Sequence, residues 1–161
     1  GAVAFSDDGA PIENAGLMRK ALEYASALGK LVIDHCECPA LTGAGCMHEG
    51  ATATRLGLPG IPSASEDVMV ARNLLLAAET GAAVHIAHVS TAASVAMVRE
   101  AKRRGIRVTA EVTPHHLVLC DEDMPPYDTR WKMSPPLPSS PAKFRTSFVA
   151  WPTCSFGSSL P

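Results

Sequence analysis

GAAVHIAHVSTAASVAMVREAKRRGIRVTAEV, residues 81–112, holds one complete strand–helix–strand unit, and its reading decides the fold class. Ala83 to Val89 is a short apolar run, of strand length and too short for a helix. Ser90-Thr91 offers an N-cap. Val95, Val98 and Ala101 then recur at helical spacing as far as Arg104, and Gly105 stops the helix. Ile106 to Val112 reads as the next strand, running into Thr113-Pro114-His115-His116.

The same rhythm extends upstream. Leu17, Ala21, Leu22, Ala25 and Leu28 mark a helix ended by Gly29, and Leu31-Val32-Ile33 is a buried strand leading into Asp34-His35-Cys36-Glu37. Val3-Ala4-Phe5, before Asp7-Asp8-Gly9, is the stub of another strand. Ser63-Ala64-Ser65-Glu66 has the form of a capping box. It opens a helix through Val68, Ala71, Leu75 and Ala78 that Gly81 closes. Between Pro39 and Pro62 the chain is rich in Gly and Pro and reads as one long, irregular loop, a feature usually kept for function. From Pro138 to Pro161 neither period survives and Ser and Pro are frequent. The expectation is a fold over residues 1–137 and an unpatterned tail over 138–161 that is foreign to it.

Strands alternating with amphipathic helices predict parallel strands and an α/β fold. About four βα units are present. A closed eight-stranded barrel needs roughly 250 residues, against 161 here. The chain is therefore either a small open sheet or part of a barrel, and both place their chemistry at the carboxyl ends of the strands.

Composition narrows the function. Hydrophobic residues make up 47% and charged residues 19%, enough apolar material for a core. Fourteen Lys+Arg against sixteen Asp+Glu leave a net charge of −2, which argues against nucleic-acid binding. No apolar stretch approaches the ~18 residues of a membrane span, and no signal pattern opens the chain. Five cysteines without framework spacing point to a reducing compartment, so a cytoplasmic protein is expected.

Polar residues gather where each strand meets its following loop: His35 and Glu37, His88 and Ser90, Glu111 and His115. Two imidazoles from neighbouring strand ends, with a carboxylate from Asp7-Asp8, suit a zinc ion. A strand-end histidine can equally be a hydrogen-bonded structural residue, and the pattern alone leaves both readings open. His85 and His88 lie an odd number of residues apart, so a regular strand would send them to opposite faces. His88 is the better ligand, and His85 is expected in the core or against a helix. Cys36-x-Cys38, with Cys46 and His48, lacks the paired spacing of a structural zinc site and reads as reduced thiols.

Taken in order, Phe5-Ser6-Asp7-Asp8-Gly9, His35-Cys36-Glu37, His88-Val89-Ser90-Thr91, Thr113-Pro114-His115-His116 and Lys132-Met133-Ser134-Pro135-Pro136-Leu137 resemble the motifs of bacterial dihydroorotases. So do HEGATATRLGLPGIPSASE and VTAEVTPHHL. The resemblance implies a partial (β/α)8 TIM barrel of the metal-dependent amidohydrolase type. It also implies reversible, zinc-dependent cyclisation of N-carbamoyl-L-aspartate to dihydroorotate in de novo pyrimidine synthesis. Carried over by motif, Asp8 is the carboxylate bridging two zinc ions, and His35 and His88 ligate the second of them. Ser134 stands where the family often has a substrate-binding Asn, and a weaker hydrogen bond is expected from it.

Other family features are missing. The His-x-His-x-Arg strand for the first zinc and the Asp-His-Ala-Pro segment with the general-base Asp have no counterpart in this chain. The Arg and acidic helix that usually follow Pro-Pro-Leu are replaced by Pro138 and the tail. The expectation is an internal fragment, inactive alone, whose last residues come from another reading frame or a spurious join. The resemblance further implies a small-molecule substrate and either a homo-oligomer or association with aspartate transcarbamoylase. Alternatives are an allantoinase- or hydantoinase-like enzyme, which Asp8 and the Thr-Pro-His-His motif disfavour, or a non-catalytic scaffold subunit, which the intact ligands disfavour.

Overall fold

The structure is a computed structural model and describes residues 1–7 and 9–139. Four strands, β1 (Ala4–Ser6), β2 (Leu31–Asp34), β5 (Val84–Ile86) and β6 (Val108–Ala110), form one sheet in the order β1-β2-β5-β6. Every pair is parallel. Two further strands, β3 (Met47–His48) and β4 (Gly60–Ile61), make a separate parallel pair.

Helices α1 (Ala15–Ala27), α4 (Ala64–Thr80) and α5 (Ala92–Arg103) connect the sheet strands. Each follows from local chemistry. Asn14 caps α1 by accepting from the Leu17 N–H, and Thr91 caps α5 by accepting from that of Ser94. Gly81 adopts the left-handed conformation that ends α4. The apolar stripes of these helices meet one face of the sheet. Met18 and Leu22 from α1, Met69, Val70 and Leu74 from α4, and Val95 and Val98 from α5 close over Val32, Val84, Ile86 and Val108. That continuous core sits between sheet and helices, as expected of a partial barrel with its helices outside.

The stretch 39–62 is more regular than its composition predicts. Short helices α2 (Pro39–Thr42) and α3 (Ala51–Leu56) alternate with β3 and β4. Two-residue strands are too short to show a period, which is why the sequence reads as a loop. The pairing needs a glycine at position 60: a Cβ there would lie 2.6 Å from the Glu49 Cα.

The capping-box reading of Ser63 and Glu66 does not hold. Ser63 is itself in helical conformation and its side chain caps nothing. Glu66 is buried and turned toward Ser90 and Thr91, where two backbone N–H groups and two hydroxyls await an acceptor. Four donors outcompete the single reciprocal bond of a capping box. His85 also differs from expectation. It projects from the sheet face opposite the helices, where its Nδ1 lies 2.7 Å from Thr109 Oγ1 on the neighbouring strand.

Past β6, the helix α6 (Pro114–Val118) and two 3-10 turns lead back to the strand ends. Pro138 still belongs to this packing, its carbonyl accepting from the Asp121 N–H at 3.1 Å. The rest of the expected tail, residues 140–161, lies outside the described residues. Among the described residues no helix is long and apolar enough to cross a membrane.

Candidate metal centre

The carboxyl ends of the four sheet strands share one rim, and two of the sequence-predicted ligands meet there. His35 directly follows β2, and the His88 ring lies with its centroid 4.6 Å from that of His35. Strand alternation does not produce this. The register sets Ile33 beside His85, so a prolonged β5 would bring Ala87 alongside His35. Instead β5 ends at Ile86 and His88 adopts φ 35°. The left-handed region is rare for a residue with a Cβ and costs about 1–2 kcal/mol. The turn swings the His88 imidazole back toward His35.

His35 is held from the β1 side by Asp7. The Asp7 carboxylate accepts the His35 backbone N–H, with Oδ2 at 3.0 Å, and its Oδ1 lies 2.5 Å from His35 Nδ1. The Gly9 N–H also lies 3.1 Å from this nitrogen, which cannot accept it while its own proton goes to Asp7. A carboxylate on one imidazole nitrogen sets ring orientation and tautomer. His88 is kept neutral: burial first, and then the adjacent His35, lower its pKa below the usual histidine value. A neutral imidazole is the form that binds a metal.

Asp8, the third expected ligand, lies outside the described residues, between Asp7 and Gly9. Among the described residues no three His, Cys, Asp or Glu side chains are grouped so as to hold an ion. The donors that are present fit a divalent cation in their chemistry. They are two adjacent imidazoles, one of them neutral by burial, with a buried carboxylate bracing the other.

Behind the rim, on the helix side, lies a polar cluster that the sequence did not announce. Asp34, fully buried, accepts from Asn73 Nδ2 at 2.5 Å and from the Cys36 thiol at 3.2 Å. Burial raises the pKa of Asp34 and pushes that of Cys36 well up. Cys36 is thus part of the core wall, while the Cys46 thiol turns to the Pro59 carbonyl.

Ser134 reaches the rim from 97 positions away by donating to the Glu37 carboxylate, which also accepts from Thr42 Oγ1 at 3.1 Å. His116 moors the same segment. Its Nε2 lies 3.0 Å from the Pro135 carbonyl, which can only accept, so the proton sits on Nε2. Its Nδ1 then accepts from Thr113 Oγ1 at 2.6 Å. Burial pulls the pKa of His116 down to about 4. Glu37, His48, Ser65, Pro135 and Pro136 border a cavity of about 250 Å³ beside these residues.

Sequence reasoning missed Asp7 as the brace of His35, the Asp34–Asn73 pair, Glu66 and the His116–Pro135 mooring. Asp7 adjoins a predicted ligand, so pattern could not tell brace from ligand. Asn73 and Glu66 carried one usable signal: each is a polar residue on the helix face that also presents Met69 and Val70.

A family model described as dihydro-orotase-like matches residues 1–94. The chain is 64% identical over 140 residues to the dihydroorotase of Pelotomaculum thermopropionicum, a match covering 87% of this chain and 33% of the relative. It is 60% identical over 139 residues to that of Syntrophus aciditrophicus, covering 86% and 33%. The chain thus spans about a third of the length of the curated relatives it matches. Among solved structures, D-hydantoinase from Thermus sp. superposes with a TM-score of 0.63 at 25% identity, over 78% of this chain and 29% of that one. Dihydropyrimidinase from Brevibacillus agri gives 0.68 at 24% identity, over 91% and 32%, a likeness of fold.

Proposed function

The chain belongs to the dihydro-orotase-like family, and on that footing we propose that it forms part of a zinc-dependent cyclic amidohydrolase of the dihydroorotase type. The reaction is the reversible interconversion of N-carbamoyl-L-aspartate and dihydroorotate in de novo pyrimidine synthesis, in the cytoplasm. The observation that carries this reading is the meeting of His35 and His88 at the strand-end rim, 4.6 Å between ring centroids.

Asp8, His35 and His88 would hold the metal. A zinc ion held there would supply Lewis-acid polarisation for the ring amide carbonyl and a water acidified to near-neutral pKa. The chain's own residues prepare that chemistry. Asp7 fixes the His35 ring, and burial keeps His88 unprotonated. The Ser134 hydroxyl, held by Glu37, stands ready to bond a polar group of the substrate. Residues 1–137 carry all of these roles. The ligands of a first zinc and the general-base Asp belong to other parts of the enzyme, so the 161-residue chain alone is expected to be inactive. Self-association or docking to aspartate transcarbamoylase fits the same family reading.

The test uses protein made from the complete reading frame that contains this segment. Metal analysis should find zinc, and the protein should hydrolyse dihydroorotate. His35→Ala and His88→Ala should each remove that activity and lower the zinc content. Preferential hydrolysis of hydantoin would overturn the substrate, and absence of bound zinc would overturn the metal centre.

A further inference from the structure

We propose that Glu66, on α4, is the positioning residue that keeps His88 within reach of His35. The inference rests on the reading above, in which these two histidines share a metal.

The problem Glu66 addresses is set by the backbone. His88 sits in a left-handed conformation that its own chain disfavours. Such a conformation persists only when its surroundings over-determine it. On the upstream side, the Ala87 N–H donates to the Asp34 carbonyl at 3.1 Å, and on the downstream side the Val89 N–H donates to that of Glu111 at 2.9 Å. Immediately beyond, both free N–H groups of the turn go to one carboxylate. Ser90 N–H donates to Glu66 Oε2 at 2.9 Å, and Thr91 N–H to Oε1 at 3.2 Å. The Ser90 hydroxyl follows, Oγ to Oε2 at 2.5 Å, while Thr91 Oγ1, 3.3 Å from Oε1, shares its one proton with the nearer Asp67. Ser90 and Thr91 are thereby gripped at both main chain and side chain, two and three residues past the imidazole.

The grip is rigid because its base is rigid. Glu66 stands in the first turn of a 17-residue helix and is itself only 5% exposed. Neighbouring Met69 and Val70 lock that turn into the core. A buried carboxylate that gave up these partners would have no water to replace them, so its bonds are hard to break. Glu66 also faces the amino end of α5, where a negative charge is favoured. That electrostatic benefit alone would make Glu66 a helix cap with no bearing on the metal.

Asp67 supplies the comparison that separates the two roles. It borders the same helix end but bonds only hydroxyls, Thr91 Oγ1 at 2.5 Å and Ser94 Oγ at 2.9 Å. It takes no main-chain N–H of the turn. A capping role predicts similar behaviour for both residues; a positioning role does not.

The experiment measures zinc dissociation constants by chelator competition, and melting temperatures with and without zinc, on protein from the complete reading frame. Glu66→Ala should weaken zinc binding on the order of 10–100-fold and shrink the zinc-induced rise in melting temperature. Asp67→Asn should lower the metal-free melting temperature and leave the zinc constant unchanged. Should Glu66→Ala fail to fold, Ser90→Ala removes one of the four donors and should weaken zinc binding several-fold with the fold retained. Unchanged zinc affinity in Glu66→Ala, or in Ser90→Ala if that is the variant available, overturns the proposal while leaving the metal centre standing. Wild-type protein that binds no zinc overturns both.

Discussion

Replacing Asn73 by leucine should destabilise the protein by about 3 kcal/mol, although the side chains have similar volume. Asn73 is fully buried and donates to Asp34 Oδ2 at 2.5 Å. Its own carbonyl oxygen accepts from Arg72, at 3.0 Å from Nε and 2.7 Å from Nη2. Hydrogen bonds to charged groups contribute about 1.5–3 kcal/mol each. Arg72 keeps the Ile12 and Glu13 carbonyls as partners, so its loss is small. Asp34 is less fortunate. Among the described residues its Oδ1 already lacks a partner, and without Asn73 the carboxyl keeps the weak Cys36 thiol, the like-charged Asp7 carboxyl and Arg72 Nη2 at 3.9 Å. A buried carboxyl stripped of its donor costs more than the average bond, which sets the figure toward the upper end. Urea unfolding would read it as a lower midpoint at constant slope. The reasoning also fixes a double mutant. Asp34→Leu with Asn73→Leu removes both partners and should cost at least about 1 kcal/mol less than the sum of the single changes. A loss below about 1 kcal/mol for Asn73→Leu, or strict additivity in the double mutant, would refute this view of the cluster.

Other outcomes follow from the rim. His116, with its pKa held near 4 by burial, binds a proton less readily folded than unfolded. Stability should therefore be constant above about pH 6.5 and decline as pH falls toward 4, by at most about 3 kcal/mol. His116→Asn should flatten that decline in urea titrations across pH, and an unaltered profile would contradict the assignment. Asp7→Ala frees the His35 ring and should weaken zinc binding about 10–100-fold in chelator competition; an unchanged constant would remove Asp7 from its bracing role. Ser134→Ala would delete the neutral hydrogen bond proposed between this residue and the substrate and should raise KM by roughly 2–10-fold with little change in kcat, as steady-state kinetics on dihydroorotate would show.

Much of the fold was legible because parallel βα units write it redundantly. Leu22 and Ala25, and Val95 and Val98, repeat at helical spacing, and glycines at 29, 81 and 105 stop the helices they follow. The strand ends, and with them His35 and His88, could be located from those boundaries alone. For α4 the stripe read from Val68, Ala71, Leu75 and Ala78 is not the buried one: Val68 and Leu75 are exposed, and Met69, Val70, Leu74 and Ala77 meet the core. Less legible was the segment 39–62, whose two-residue strands are too brief for any period. Glu66 misled in a specific way. Its spacing from Ser63 matches a local capping motif, but its partners lie 24 and 25 positions downstream, and a local pattern carries no record of distant donors.

From the amino-acid order alone came the fold class, the rim as the expected site of chemistry, and His35 and His88 as its candidate ligands. Side-chain period and chain punctuation are local properties, and they suffice for that. Tertiary structure alone decided how the two imidazoles meet. Regular alternation would have sent His88 away from His35, and the left-handed turn at His88 reverses this. Asp7, Asp34 with Asn73, Glu66 and His116 likewise acquired their roles only on folding. Each satisfies a buried polar group brought to it by packing, and which groups become buried together is settled by the whole chain at once.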